Sequence, residues 1–212
     1  MLEIEKALKA SPGSAYVDVG AYTGRFSLAL AVKFPRVAFH LIEAENKNYQ
    51  ELVKGAANLS NVHVYHMAIG SSDGVVRFYV SDNKKSDGSS QANSLYKAFF
   101  RGKSWAKNVC EESVSCKTFD SFCVAESITD ICVLKMNCEG GEYEIFSVEV
   151  GVLKSCKLLI LQVHGKCKKF LSPEFESLRI AIGKKLIDSG MIIIAQQTKG
   201  IEVDHVRQIW GR

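Results

Sequence analysis

Ala15-Tyr16-Val17-Asp18-Val19-Gly20-Ala21-Tyr22-Thr23-Gly24 runs from an apolar, strand-like segment into a turn marked by two glycines. A helical pattern follows over about 24–33 and stops before Pro35, whose ring cannot continue the hydrogen-bond ladder. Strand, glycine turn and helix in that order open a crossover unit, and the unit recurs. Residues 37–42 read as a second strand ending at Glu43, 47–57 as a helix and 62–66 as a third strand. A fourth core strand over 131–136 leads to a helix opening near Gly140-Gly141-Glu142. A fifth strand over 158–163 ends at His164, and a helix over 174–188 is stopped by Gly190. Residues 191–196 and 206–210 read as a final antiparallel pair. Repeated strand–helix–strand order implies an α/β fold, with a mostly parallel, doubly wound sheet and helices on both faces.

The rhythm breaks once. Ser71-Ser72-Asp73-Gly74 signals a turn, 75–80 reads as an extra strand, and 113–118 reads as another, with Asp120 expected to cap the helix ahead of Phe122. This predicts a β-containing insertion around 71–118. Within it, 81–107 turns to Ser, Asn, Asp, Gly and Lys, interrupted by Leu95-Tyr96 and Ala98-Phe99-Phe100. A segment of that length inside a compact domain reads as a substrate-side loop or lid. No internal repeat or domain boundary is visible, so residues 1–212 are expected to form one domain.

Composition excludes several classes. Hydrophobic residues make up 47% and charged residues 24%, ordinary for a globular domain and unlike disordered, collagenous or coiled-coil chains. The net charge of +4 is too small to argue for nucleic acid. Basic residues do gather at Lys84-Lys85, Arg101-Gly102-Lys103 and Lys166-Cys167-Lys168-Lys169, which read as solvated clusters. The N-terminal ten residues lack the apolar core of a signal peptide, and no apolar run is long enough to span a bilayer. Seven cysteines without a Cys-x-x-Cys pair read as free thiols in a reducing, cytoplasmic setting, and no metal site is assigned.

Ligands of open α/β sheets lie beyond the carboxyl ends of the strands. The turn after the first strand spaces its glycines Gly-x-x-x-Gly. It lacks the Gly-x-Gly-x-x-Gly that admits a dinucleotide pyrophosphate, and the Gly-Lys-Ser/Thr end of a phosphate-binding loop. Asp18, two positions before Gly20, is a poor neighbour for phosphate and suits a ligand end bearing an ammonium group. Glu43, ending the next strand, can accept hydrogen bonds from both hydroxyls of a ribose. An adenosine without phosphates, joined to a cationic amino acid, satisfies both; that ligand is S-adenosylmethionine.

These residues and those that follow resemble the FkbM-type family of class I S-adenosylmethionine-dependent methyltransferases. Val17 to Ser27 looks like the family's opening motif, and Leu41-Ile42-Glu43-Ala44 its ribose-binding motif. Val64-Tyr65-His66-Met67-Ala68-Ile69-Gly70 looks like the segment that passes the adenine. Asn93-Ser94-Leu95 and Thr118-Phe119-Asp120-Ser121-Phe122 fall where the family has similar residues, and Val133 to Glu142 looks like the signature after the fourth strand. The likeness spans roughly 12–165. It implies a Rossmann-like class I methyltransferase fold with an antiparallel C-terminal strand. It also implies a cofactor site on Asp18, Gly20, Tyr22, Gly24, Glu43, Ala44, Met67, Ala68 and Asn137. Three positions depart from the pattern: Tyr22 for Asn, Asn137 for the Asp of Lys-x-Asp-x-Glu-Gly, and Gln162 for Glu.

Methyl transfer from a sulfonium is an in-line displacement whose leaving thioether needs no acid, so alignment and exclusion of water dominate. A hydroxyl acceptor also calls for a base. The strand ends offer Glu139, as base or substrate anchor, and His164, as base or orienter. The expected partner is a small-molecule or glycan-type acceptor methylated on oxygen. A non-catalytic cofactor-binding module, suggested by Asn137 and Gln162, and an RNA methyltransferase stay open as alternatives.

Overall fold

A computed structural model describes residues 1–81, 93–95, 97–100, 108–164, 173–198 and 205–212. The chain opens with helix α1 (Leu2–Ala10), which the sequence reading does not anticipate; Ile4 and Leu8, one turn apart, bury its inner face. Strand β1 (Ala15–Val19) leads through the glycine turn into α2 (Arg25–Lys33), then β2 (Ala38–Glu43), α3 (Asn46–Ala56) and β3 (Val62–His66). The extra segment contributes β4 (Ala68–Ile69), β5 (Gly74–Ser81) and β6 (Val109–Lys117). Then come α4 (Phe119–Ala125), β7 (Ile131–Met136), α5 (Glu142–Ser147) and β8 (Cys156–His164). The chain ends with α6 (Pro173–Asp188), β9 (Ile192–Thr198) and β10 (His205–Gly211).

Seven strands form one sheet in the order β3-β2-β1-β7-β8-β10-β9. The first five pair in parallel, and β10 enters antiparallel to both β8 and β9. The chain builds outward from β1 to β3, then returns to the other side of β1 with β7. The carboxyl ends of β1 and β7 therefore flank the crevice where strand order reverses, the place where such sheets hold ligands. The predicted insertion supplies β5 and β6, which join β4, just ahead of it, in a separate three-stranded sheet of order β4-β6-β5.

Alternation in β1 divides the core. Ala15, Val17 and Val19 join Phe119, Phe122, Leu134 and Leu161 on one face. Tyr16 joins Leu30, Phe39, Leu52 and Val133 on the other. Asp18 shares the side of Tyr16, toward α2, and that placement governs its partners. Both faces being covered, β7 reads Ile-Cys-Val-Leu with all four residues buried.

One expected cap is corrected. Thr118, not Asp120, caps α4: its extended backbone lets the hydroxyl accept from the Ser121 amide at 3.2 Å. Asp120 lies inside the first turn, and its carboxylate reaches away to accept from the amides of Gly151 and Val152, at 2.8 and 3.2 Å. It thereby caps the short 3-10 turn Gly151–Ser155.

No helix among the described residues is long and apolar enough to cross a membrane. The described cysteines are free thiols. Burial pushes the thiols of Cys116 and Cys132 up to about 11, and those of Cys123 and Cys156 to about 12. Such groups stay protonated and unreactive. Cys167 and the three basic clusters lie outside the described residues, as does most of 81–107.

Candidate active site

The glycine turn is fastened to both neighbouring strands. The amides of Gly20 and Ala21 both donate to the carbonyl of Ile42 at 3.0 Å, and that of Tyr22 donates to Glu43 Oε2 at 2.8 Å. On the other side, the Asn137 amide donates to the Val19 carbonyl at 3.0 Å. Gly20 has φ +79°, and a Cβ there would fall far inside contact distance of the Asn137 carbonyl oxygen. Only glycine lets β1 and β7 approach so closely at the switch point. Gly24 precedes α2 with φ +74°, a left-handed backbone that favours glycine, and a Cβ there would press on the side chains of Leu52 and Leu28.

Tyr22 adopts φ +58°, a left-handed backbone that Asn and Gly tolerate and aromatic residues rarely enter. The departure from Asn at this position thus carries a physical cost. Tyr22→Gly is expected to be more stable than Tyr22→Ala by about 1 kcal/mol. Urea midpoints of the two variants check it, since both lose the ring and differ in backbone preference.

The sequence reading reserves Asp18 for a ligand ammonium group. In the structure Asp18 is buried and held by the chain itself. Lys135 Nζ lies 2.7 Å from its Oδ1, and the Ser27 hydroxyl donates to Oδ2. Tyr16 OH extends the chain to Ser27 at 3.0 Å. Neither Ser27 nor Lys135 figures among the residues expected at the site. A signal was present, since a lysine in the apolar strand Ile131–Met136 requires a buried partner.

Glu43 sits at the end of β2 with its carboxylate accepting from the amides of Tyr22 and Glu45, and from Asn48 Nδ2 at 3.3 Å. Burial pushes its carboxyl up to about 7, opposed by the two amides and Asn48. Met67 donates its amide to the Glu43 carbonyl at 3.2 Å, His66 Nε2 lies 3.2 Å from the Ala44 carbonyl, and Ala68 begins β4 alongside. Glu43, Ala44, Met67 and Ala68 therefore gather at the ends of β2 and β3.

Beyond β7, Glu139 has φ +50° and Gly140 φ +98°. His164, at the end of β8, places Nε2 3.2 Å from Glu139 Oε2 and Nδ1 2.9 Å from Glu142 Oε1. Burial pushes the imidazole down, but the carboxylates of Glu142 and Glu139 outweigh it and raise it to about 10. The two flanking carboxylates thus favour the protonated ring. Ser94 returns from the 81–107 excursion to donate its hydroxyl to the Glu139 carbonyl at 2.6 Å. The two expected catalytic side chains are thus in contact. The sequence reading misses Glu142 and Ser94 as their partners.

Among the described residues, Asn137 Oδ1 is a buried side-chain acceptor with no hydrogen-bond partner. Such a group costs about 1–3 kcal/mol until a donor reaches it. Its place beside the Gly20 turn fits a ligand carrying an ammonium group.

The model of the methyltransferase FkbM domain family matches residues 18–185, from Asp18 through most of α6. The chain belongs to this family. Membership and fold imply S-adenosylmethionine as methyl donor. A search of curated protein sequences finds no match. Among solved structures, the chain is similar to the fibrillarin pre-rRNA processing protein of Methanococcus jannaschii. The identity is 13%, over 94% of this chain and 66% of that one, with a TM-score of 0.52. It is also similar to fibrillarin in a complex with Nop5p, at 11% identity over 95% and 73% of the chains, with a TM-score of 0.50. The precorrin-6y C5,15-methyltransferase of Geobacter metallireducens matches at 12% identity over 99% and 85%, with a TM-score of 0.48. At these identities the likeness concerns the fold.

Proposed function

We propose that this FkbM-family chain is a single methyltransferase domain acting on a hydroxyl of a small-molecule or glycan-type acceptor. The observation that carries the reading is the pairing of Glu139 with His164 at adjacent strand ends, next to the Gly20 turn and Asn137. When bound, S-adenosylmethionine supplies an electrophilic methyl group on a sulfonium. Gly20 and Tyr22 shape the backbone of the turn, and Gly24 lets α2 start against α3. Asn137 Oδ1 accepts from the ligand ammonium group, and Asp18, through Lys135 and Ser27, braces the turn beneath it. Glu43 accepts from the ribose hydroxyls, while Ala44, Met67 and Ala68 border the adenine. Glu139 accepts a hydrogen bond from the acceptor hydroxyl, aligns its oxygen and takes its proton as the oxygen gains the methyl group, and His164 orients Glu139. Ser94, donating its hydroxyl to the Glu139 carbonyl, supports the reading of 81–107 as the substrate-side loop.

Incubation with S-adenosylmethionine and a panel of sugars, glycolipids and polyketides tests this. Methyl transfer to a hydroxyl, lost in Glu139→Gln with cofactor binding retained, is the expected result. Transfer only to nitrogen or to RNA, or none to any acceptor, would overturn the acceptor assignment.

Glu43 adds a pH dependence. Two ribose hydroxyls are best accepted by its ionised form, and in the free protein burial pushes its carboxyl up to about 7. Protonation as pH falls through that value turns one of its two acceptor oxygens into a donor. Affinity for S-adenosylhomocysteine, measured by calorimetry, should be flat above pH 8 and fall by about tenfold per pH unit well below 7. Glu43→Gln should bind weakly and flatten the profile.

A further inference from the structure

A buried group surrounds His164, and Glu142 lies at its centre. Glu142 is 0% exposed at the first position of α5. Its Oε1 accepts from both the amide and Nδ1 of His164, at 2.7 and 2.9 Å, and its Oε2 accepts from the Gly140 amide at 2.9 Å. The Tyr143 hydroxyl donates to the His164 carbonyl, so backbone and ring are held together. Across the ring, Nε2 faces Glu139 Oε2 at 3.2 Å, and Gln162 Nε2 lies 3.1 Å from the same ring nitrogen. An imidazole placed to act as a base turns one unprotonated nitrogen toward the nucleophile. Here a carboxylate oxygen lies at each nitrogen, an arrangement satisfied when both carry protons and the Gln162 amide turns its oxygen, not its nitrogen, to the ring.

We infer that Glu142 is a positioning residue: it clamps the His164 ring between two carboxylates, so that His164 orients Glu139 and does not take a proton from the acceptor. The inference rests on reading this crevice as the acceptor side of the site. The divided tasks follow from connectivity. Ser94 holds the backbone of Glu139, and the clamped ring holds its side chain. Glu142, wholly buried and bonded to Gly140 and His164, works through His164. The amide at 162 fits the same account, because a third carboxylate would leave the buried group with two uncompensated negative charges.

Long-range proton–nitrogen correlation spectra of the full chain, labelled at its five histidines, read the protonation state without any ligand. His164→Gln assigns the signal. At pH 8 both ring nitrogens of His164 should be protonated in the wild type. In Glu142→Gln the ring should titrate about 1–3 pH units lower, and Glu142→Asp should restore much of the shift. Glu139→Gln, at a more exposed position, should lower it by a similar amount and serves if Glu142→Gln does not fold. A neutral ring in the wild type at pH 8, or a ring unmoved by loss of either carboxylate, overturns the clamp. Calorimetry with S-adenosylhomocysteine separates the two claims. Loss of binding with a protonated ring contradicts the functional reading alone, and binding with a neutral ring contradicts the clamp alone.

Discussion

Gly20→Ala is expected to abolish binding of S-adenosylhomocysteine and to destabilise the fold by about 2–5 kcal/mol. Two effects combine. The left-handed backbone at φ +79° penalises any Cβ, and that Cβ would press on the Asn137 carbonyl. The clash cannot be relieved by turning a side chain, because the obstructing atom is backbone at the end of β7. Relief requires β1 and β7 to separate where the Asn137 amide bonds to the Val19 carbonyl, which displaces Asn137 Oδ1 as well. Gly13→Ala is the matched control: Gly13 is exposed and nothing lies within 4 Å of a Cβ built there. Urea denaturation and calorimetry on both variants check the prediction. A Gly20→Ala protein with unchanged midpoint and affinity would show that the turn is not the seat described.

Asp18→Ala is expected to cost about 3–5 kcal/mol, a large share of a domain's total stability. The variant leaves the ammonium group of Lys135, whose side chain is 20% exposed, and the Ser27 hydroxyl without their acceptor. The loss arises mainly from the charge left behind, so removing that charge should reverse much of it. The pair Asp18→Asn with Lys135→Met should recover at least half the deficit of Asp18→Ala. Denaturant midpoints of the single and double variants decide this. Equal losses in both would assign the cost to packing and not to the ion pair.

The architecture was legible because period and punctuation agree. The apolar run over 15–19, the stop at Pro35 and glycines at 20, 24, 140 and 190 place β1, β2, β7, β8 and their helices within a residue or two. Helix α1 was missed because only Ile4 and Leu8 are buried from it, too short a pattern to stand out. Asp120 was misassigned as a cap because Thr118, two residues earlier, offers the same hydrogen bond with the right backbone. At the site, Glu43 and the Glu139–His164 pair could be anticipated from strand ends. For the partners of Asp18 the sequence holds half the signal: Lys135 in an apolar strand calls for a buried acceptor, but which one depends on a register between β1, β7 and α2 that the sequence does not state. Glu142 was hidden for a similar reason. An acid at the start of a helix ordinarily serves the helix dipole, and only the packing of α5 on β8 turns it toward His164.

The central claim is that the crevice between β1 and β7 seats S-adenosylmethionine. Isothermal titration of the full chain with S-adenosylmethionine tests it most directly. One molecule should bind per chain, and binding should vanish in Gly20→Ala and weaken in Asn137→Ala, where the buried acceptor is lost. An absence of heat with the intact, folded chain, or binding indifferent to both substitutions, would contradict it.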